Sequence, residues 1–256
     1  MKYNKEERFK YILDNINLKT VLQVSDLSKI LNVSEVTIRK DLKELEDNKK
    51  ILRIYGGATS IKSSIKKSKY EERRNKNIKN KKLLAKLAST FINNDMNIFI
   101  DAGTTTKEII PYLEKTEGVY VITYDVEIAY LLSKFDNITT YILGGEIENK
   151  TYSTLSIETI ERINKFRADL VFIGTDAFDS EFAYSTNDIR SNIKTKMIHN
   201  SKLKILVADS SKYGYRGLTA FSSINDFDYV ITDKLNLDIT ELKNNNSNKD
   251  VMFLTI

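Results

Sequence analysis

Cysteine is missing from this chain, so disulfides, thiolate zinc sites and cysteine nucleophiles are excluded from the start. Histidine is almost as scarce: His199 stands alone, too little to build a histidine metal site, and no metal or cofactor is expected. No stretch approaches the roughly 20 apolar residues of a membrane-spanning helix. The N-terminus also lacks the apolar run of a secretory leader, so a soluble, cytoplasmic protein is the expectation. Proline occurs once, while Lys, Asn and Ile abound. That is the bias of an AT-rich genome, and part of the lysine count carries no functional message.

What is present suffices for two domains. The chain has 256 residues, 41% of them hydrophobic, enough for a sizeable core and more than one domain usually needs. Its charge is divided unevenly. Residues 1–82 hold 22 Lys+Arg against 11 Asp+Glu, whereas the remainder holds 18 against 24. A basic front half joined to an acidic back half suits a nucleic-acid module attached to something else.

In the front half Phe9, Ile12 and Leu13 have helical spacing, and residues 19–24 form a short extended link. Ser25 is expected to cap a helix over 26–31, with Leu27, Ile30 and Leu31 inward. Asn32 and Val33 make a turn, and Ser34 caps a longer helix to about residue 47. In that helix Val36, Ile38, Leu42 and Leu45 form the inward stripe, leaving Thr37, Arg39, Lys40 and Lys43 outside. Two short helices joined by a tight turn, the second capped and basic, make a helix-turn-helix whose second helix can enter a major groove. Residues 51–55 continue as a strand, and Gly56-Gly57 lets the backbone turn sharply, as in a wing. Ser34, Thr37, Arg39, Lys40 and Lys43 are therefore candidate DNA contacts, with Arg53 and Tyr55 on the wing. This module is expected over 1–58, followed by a basic linker over 59–79.

The remaining domain, 80–256, alternates helix and strand. Apolar runs at 97–100, 119–122, 140–143, 170–173, 203–207 and 229–231 are separated by amphipathic stretches such as 127–135 and 156–166. That alternation predicts an α/β domain with a mostly parallel sheet covered by helices. Each run ends in polar or small residues: Asp101-Ala102-Gly103-Thr104-Thr105-Thr106, Thr123-Tyr124-Asp125, Gly144-Gly145-Glu146, Gly174-Thr175-Asp176 and Asp209-Ser210-Ser211-Lys212. Ligands of open α/β sheets sit beyond the carboxyl ends of the strands. Hydroxyls and free N–H groups gathered there favour an oxygen-rich, phosphorylated small molecule. The candidate contacts are Asp101, Gly103, Thr104, Thr105, Thr123, Gly144, Gly145, Gly174, Asp209 and Lys212, with Lys212 the best-placed cation for a phosphate. Taken singly, the Gly-Thr-Thr-Thr stretch is equally a helix cap, and Gly144-Gly145 a plain tight turn.

With these residues together, the chain resembles the DeoR family of bacterial transcriptional regulators along almost its whole length. The resemblance rests on Val33-Ser34, Thr37-Ile38-Arg39-Lys40-Asp41-Leu42, Leu45, Arg53 and Gly56-Gly57-Ala58 in the front half. In the back half it rests on Asp101-Ala102-Gly103-Thr104-Thr105, Gly144-Gly145, Arg167-Ala168-Asp169, Gly174 and Asp209-Ser210-Ser211-Lys212-Tyr213-Gly214. It implies a repressor of a sugar-catabolic operon released by a phosphorylated sugar, with an effector domain similar in fold to ribose-5-phosphate isomerase. The chain departs from the family pattern at Tyr124, where asparagine is usual, and at Ser156, where glycine is common. The stretch 183–186 also lacks the usual glycine, and Arg190 stands where an acid is common. The competing reading is a sugar-phosphate isomerase carrying a DNA arm, with Asp101 or Asp209 as base and Lys212 as phosphate or oxyanion partner. One such helix reads a half-site only, so operator DNA and a homodimer or homotetramer are the expected partners beside the effector.

Overall fold

The computed structural model describes residues 3–16, 22–48, 50–54, 56–60, 70–149, 151–233 and 251–256. The chain divides into two compact units, Met1–Lys66 and Lys67–Ile256.

The first unit contains α1 (Lys5–Ile16), β1 (Leu22–Gln23), α2 (Val24–Leu31), α3 (Glu35–Asp47), β2 (Ile51–Ile54) and β3 (Gly57–Ser60). Its strands form an antiparallel sheet in the order β1-β3-β2. The turn after α2 is made by Asn32, whose φ of 51° is left-handed, as a short side chain tolerates. Ser34 caps α3 by accepting the Thr37 N–H at 3.2 Å. Ile12, Leu27, Leu31, Ile38, Leu42, Leu45 and Ile51 are buried together. Gly57 is required where β3 crosses β1: a Cβ there would lie 2.1 Å from the Leu22 carbonyl oxygen.

Three local expectations need correction. The second helix starts at Val24 directly from β1, with Gln23 in the capping position and no side-chain cap, so Ser25 lies inside it. Ile30 is 44% exposed and Val36 is 60% exposed. Val36 sits two residues from Ile38, about 200° around the helix, so the two cannot share a face. The position one turn from Ile38 on the inner side belongs instead to Asp41, which is buried. Its carboxylate accepts from Arg8 Nε at 2.6 Å and Nη2 at 3.1 Å, a bidentate pair that ties α1 to α3.

The second unit opens with α4 (Tyr70–Asn75) and α5 (Ile78–Ser89), so most of 70–79, expected as linker, is helical, broken by a turn at Lys76 and Asn77. There follow β4 (Asn97–Ile100), a 3-10 segment over Thr106–Lys115, β5 (Val119–Thr123), α6 (Val126–Leu132) and β6 (Ile138–Ile142). Next come β7 (Ile147–Glu148), β8 (Ser153–Thr154), α7 (Ile157–Ile163), β9 (Ala168–Ile173), β10 (Ala177–Phe178) and β11 (Phe182–Ser185). The unit ends with α8 (Asp188–His199), β12 (Ser201–Val207), β13 (Thr219–Ser223), β14 (Tyr229–Thr232) and β15 (Met252–Thr255). The expected runs all enter one seven-stranded sheet, ordered β15-β14-β12-β9-β4-β5-β6 and parallel throughout. Alternate residues serve opposite faces. Ile98, Ile100, Leu170, Phe172 and Ile205 pack with α5 and α6, while Phe99, Val171, Ile173 and Leu206 pack with Ile163 of α7 and Ile193 and Met197 of α8. From β4 the chain builds outward through β5 and β6, then returns to place β9 on the other side of β4. The strand order therefore reverses between β4 and β9, the place where such sheets open a crevice.

The Arg8–Asp41 pair gives a stability prediction. Asp41→Ala leaves a largely buried guanidinium unpaired and should weaken the first unit by about 3 kcal/mol. Hydrogen exchange of α1 and α3 amides should accelerate accordingly, with those of the large sheet unchanged; unaltered α1 and α3 protection would refute the role.

Candidate functional site

Two polar surfaces concentrate the candidate residues, one on each unit. On α3, the Ser34 and Thr37 hydroxyls lie 2.9 Å apart and hold the first turn together. Arg39 donates to Glu35 one turn earlier at 2.7 Å. Both side chains are about half exposed, and such a pair contributes roughly 0.5 kcal/mol at most, so the guanidinium is readily released to another acceptor. Lys40 and Lys43 are exposed. Arg53 is exposed too, its guanidinium 3.9 Å from the Glu46 carboxylate, while its peptide N–H donates to that carboxylate at 3.0 Å. Tyr55 lies outside the described residues. Val36 adds an apolar side chain to this otherwise polar face, which sequence reasoning had turned inward.

The second surface gathers at the strand ends around the switch point. Asp101, fully buried at the end of β4, accepts from the Gly174 N–H at 2.8 Å across to the end of β9. The same oxygen is met by the Lys194 ammonium from α8, which also donates to the Gly174 carbonyl at 2.8 Å. The other carboxylate oxygen accepts the Tyr124 hydroxyl. Burial, then the Asp101 charge, raise the Tyr124 pKa well above its ordinary value, so it remains a donor. Burial pushes Lys194 down against the pull of Asp101.

Lys212 reaches the same edge, donating to the Thr175 carbonyl at 2.7 Å. Burial lowers its pKa, opposed by Asp209 and Asp176. Asp209 accepts from Asn77 Nδ2 at 3.0 Å and from Ser211; despite burial, Lys212 and these hydrogen bonds hold its carboxyl below the usual range. Thr104 accepts the Lys81 ammonium at 3.0 Å. Thr105 is buried with its hydroxyl unpartnered among the described residues, as is Nε of Arg190. Arg190 belongs to the first turn of α8 and donates to Glu148 at 2.6 Å.

The remaining candidates have local duties. The Thr106 hydroxyl donates to the carbonyls of Asp101 at 2.7 Å and Gly103 at 3.1 Å, closing the loop that holds Gly103. Thr123 Oγ1 accepts the Asp125 N–H at 3.1 Å. The Gly144 carbonyl accepts the Thr159 hydroxyl at 2.7 Å. Gly145, at φ 149°, would place a Cβ 2.6 Å from Ser156 Oγ. The glycine pair thus fits against the start of α7, whereas Asp101, Thr104, Gly174, Asp209 and Lys212 are interlinked through Lys81, Lys194, Asn77 and Thr175.

A helix-turn-helix with a basic outer face and a switch-point edge rich in buried cations are the two features of a ligand-controlled DNA-binding protein. The family models match in the same order: a DeoR-like helix-turn-helix domain over residues 8–64 and a DeoR C terminal sensor domain over residues 76–234. The chain belongs to the DeoR family of transcriptional regulators. It is 31% identical to the HTH-type transcriptional regulator FruR of Bacillus subtilis over 89% of this chain and 90% of the relative. It is 31% identical to the regulator GlpR of Haloferax volcanii over 89% of each, and 27% identical to the glycerol-3-phosphate regulon repressor of Escherichia coli over 89% and 90%. Among solved structures, ribose 5-phosphate isomerase A of Neisseria gonorrhoeae matches at 19% identity and a TM-score of 0.37 over 54% of each chain, too partial a likeness to argue from. The family is one of DNA-binding regulators, and the isomerase reading of Asp101 and Asp209 falls with that membership.

This DeoR-family chain holds functional candidates that the strand-end argument did not reach. Arg73 comes from α4, Asn77 from the two-residue turn after it and Lys81 from α5, inside a lysine-rich stretch where nothing distinguishes one cation from its neighbours. Arg73 donates to Asp176 at 2.9 Å, and Asp176 also accepts from the Thr186 N–H at 3.0 Å.

Asp125, buried behind Thr123 and Tyr124, offers a pH test. One carboxylate oxygen caps α6 by accepting the Ile128 N–H at 3.0 Å, and the other has no partner among the described residues. Burial raises its pKa to about 6. A carboxyl raised above its unfolded value stabilises the fold below about pH 4, and that contribution is lost as pH climbs through about 6. Asp125→Asn keeps the cap without the charge. It should be more stable than the parent at pH 7 by about 3 kcal/mol, with the gap closing near pH 4 in urea titrations. A gap independent of pH would contradict this account.

Proposed function

We propose that this protein represses a sugar-catabolic operon and is released from its operator by a phosphorylated sugar. The observation that carries the effector half is Lys212. Its ammonium sits at the switch-point edge with a carbonyl as acceptor and, among the described residues, no carboxylate within ion-pair distance. An ammonium has three donors, and two remain for an anion. Gly103, Thr104 and Thr105 line the neighbouring loop, where the Thr105 hydroxyl lacks a partner among the described residues. Thr123, Gly174 and Asp209 complete the set at adjacent strand ends, with Gly144 and Gly145 at the end of β6. Asp101 acts through position, because both its oxygens are occupied by protein donors. Relatives named for glycerol-3-phosphate and aga operon repression support a sugar-linked signal.

For the DNA half, α3 enters the major groove. Arg39 leaves Glu35 for a base edge, Ser34 and Thr37 meet phosphate or base edges from the first turn, and Lys40 and Lys43 neutralise phosphates. Val36 is placed to meet a thymine methyl. Arg53 and Tyr55 act from the wing. Two copies on a symmetric operator, as a homodimer or within a homotetramer, supply both half-sites.

A gel shift on DNA upstream of the protein's own operon, titrated with a panel of sugar phosphates, tests both halves. One compound should release a specific complex. Arg39→Ala should lower specific operator affinity about tenfold or more while leaving the circular dichroism spectrum unchanged; wild-type affinity in that variant would remove Arg39 from the interface. Lys212→Ala should bind operator normally and ignore the releasing compound. A normal response would move the phosphate to another cation.

A further inference from the structure

Glu127 on α6 gathers three donors from outside the strand-end loops. Its Oε2 accepts the Tyr70 hydroxyl at 2.8 Å, its Oε1 accepts the Lys107 ammonium at 3.0 Å, and the Arg74 guanidinium lies 3.5 Å from Oε1. Tyr70 and Arg74 belong to α4, while Lys107 is the second residue of the 3-10 segment. Tyr70 is buried. The Tyr152 ring meets its ring edge-on at 5.5 Å, and the Lys107 ammonium lies over it, 5.8 Å from its centre. Lys107 is buried as well, so its charge depends on the Glu127 carboxylate. Burial, then the hydrogen bond to Glu127, raise the Tyr70 pKa far above its ordinary value, which keeps the hydroxyl a donor. Despite burial, Lys107 and Tyr70 hold the Glu127 carboxyl below the usual range, so the acceptor stays charged at neutral pH.

Lys107 is also continuous with the loop proposed for the effector. Its peptide N–H donates to the Gly103 carbonyl at 3.1 Å, and that of Glu108 to the Thr105 carbonyl at 3.1 Å. A displacement of Gly103, Thr104 or Thr105 therefore carries the root of Lys107 with it. At the other end, α4 is the next described element after β3, with residues 61–69 between them in sequence. We propose that Glu127 is a positioning residue that transmits occupancy of the effector loop to α4, and through α4 to the DNA-binding unit. The inference rests on the phosphorylated-effector reading above and adds how its signal leaves the site. Among the described residues, Glu127 makes no hydrogen bond or ion pair to a candidate effector contact. That separates it from Arg73 and Asn77, whose partners Asp176 and Asp209 stand at the strand ends themselves. With Lys107 on one side and Tyr70 on the other, one carboxylate is the shared support of loop and helix. A ligand alters affinity at a second site only where its binding changes such contacts, and the effect is reciprocal.

The test uses the full chain, its operator and a panel of triose, pentose and hexose phosphates. Affinity for the compound that releases the operator is measured calorimetrically on the free protein and on the operator complex, and the ratio of the two is the coupling. In the wild type that ratio should be about tenfold or more. Glu127→Ala and Tyr70→Phe should each keep operator affinity, and free-protein affinity for the compound, within about threefold, while the ratio falls toward unity. The compound then occupies the complex without releasing it. Amide hydrogen exchange gives a second readout. In the wild type the compound should change protection both at 103–106 and in α4; in the variants the change at 103–106 should persist and that in α4 vanish. A helix merely loosened would exchange faster with and without the compound alike and leave the ratio intact, which would overturn the proposal. A wild-type ratio in either variant overturns it too and leaves the phosphorylated-effector reading standing. Release of the wild type by no compound of the panel would overturn that reading and this one together. Glu127→Ala strips a buried ammonium of its counter-charge. Should it not fold, Tyr70→Phe decides alone, since it loses one hydroxyl and keeps the ring against Tyr152.

Discussion

The buried pair of Asp101 and Lys194 stands at the point where the sheet reverses its order, and the rest of the sensor is arranged around it. The chain reaches β4, leaves toward β5 and β6, and must come back to set β9 on the other flank. What locks that return is chemical as well as apolar. The Asp101 peptide N–H donates to the Phe172 carbonyl at 3.0 Å, its carboxylate takes the Gly174 N–H, and Lys194 spans both strand ends from α8. Tyr124 brings in the end of β5. Removing one member of such a pair leaves an unmatched buried charge, at about 3–5 kcal/mol, so the members are fixed together or not at all. A rigid centre results, with Lys212, Lys81, Thr105 and Arg190 arranged around it.

How far this was legible in the sequence depends on what each residue's neighbours are. The six apolar runs were legible because a parallel strand covered on both faces reads as an unbroken hydrophobic stretch; 97–100 and 170–173 are the clearest. Their polar ends were legible for the same reason, since they interrupt those runs. By contrast α8 left no periodic trace. Its buried positions include Arg190, Ser191 and Lys194 as well as Ile193, Met197 and Ile198, so an inner face that is half polar cancels the helical signal. Asp41 was hidden by its own identity. Its partner Arg8 lies 33 residues away, and only that contact makes an aspartate a core residue. Lys81 was hidden by abundance, one of ten cations between residues 59 and 82; burial, which is a property of the fold, is what sets it apart.

The first unit shows a division of labour of another kind. Ser34 and Thr37 spend their hydroxyls on the first turn of α3, so the same atoms that start the helix lie on the face we propose for DNA. Arg39 is held by Glu35 in a weak exposed pair. A helix prepared in this way presents ordered small groups at its tip and mobile charge behind it. Ordered groups suit base edges, where geometry discriminates, and mobile cations suit phosphates, where only charge is needed.

The departures from the family pattern can now be judged by what each side chain touches. Tyr124 uses its hydroxyl on Asp101 and is fully buried, so it belongs to the rigid centre. Ser156 caps α7 by accepting the Thr159 N–H at 3.2 Å. The close approach of Gly145 to its hydroxyl shows that a bare glycine and a capping serine have become complementary across the β6 edge. Arg190 differs from both. Its charge is met by Glu148 on β7, so the reversal from an acid is largely compensated, yet its Nε remains buried without a partner among the described residues. A compensated charge with one donor left over adds little general attraction for anions. It does add a directional donor, which a particular hydroxyl or carbonyl of the effector can satisfy at a fixed place. On the function we propose, the change at Arg190 therefore bears on which sugar is accepted, while the response to a phosphate is left to Lys212.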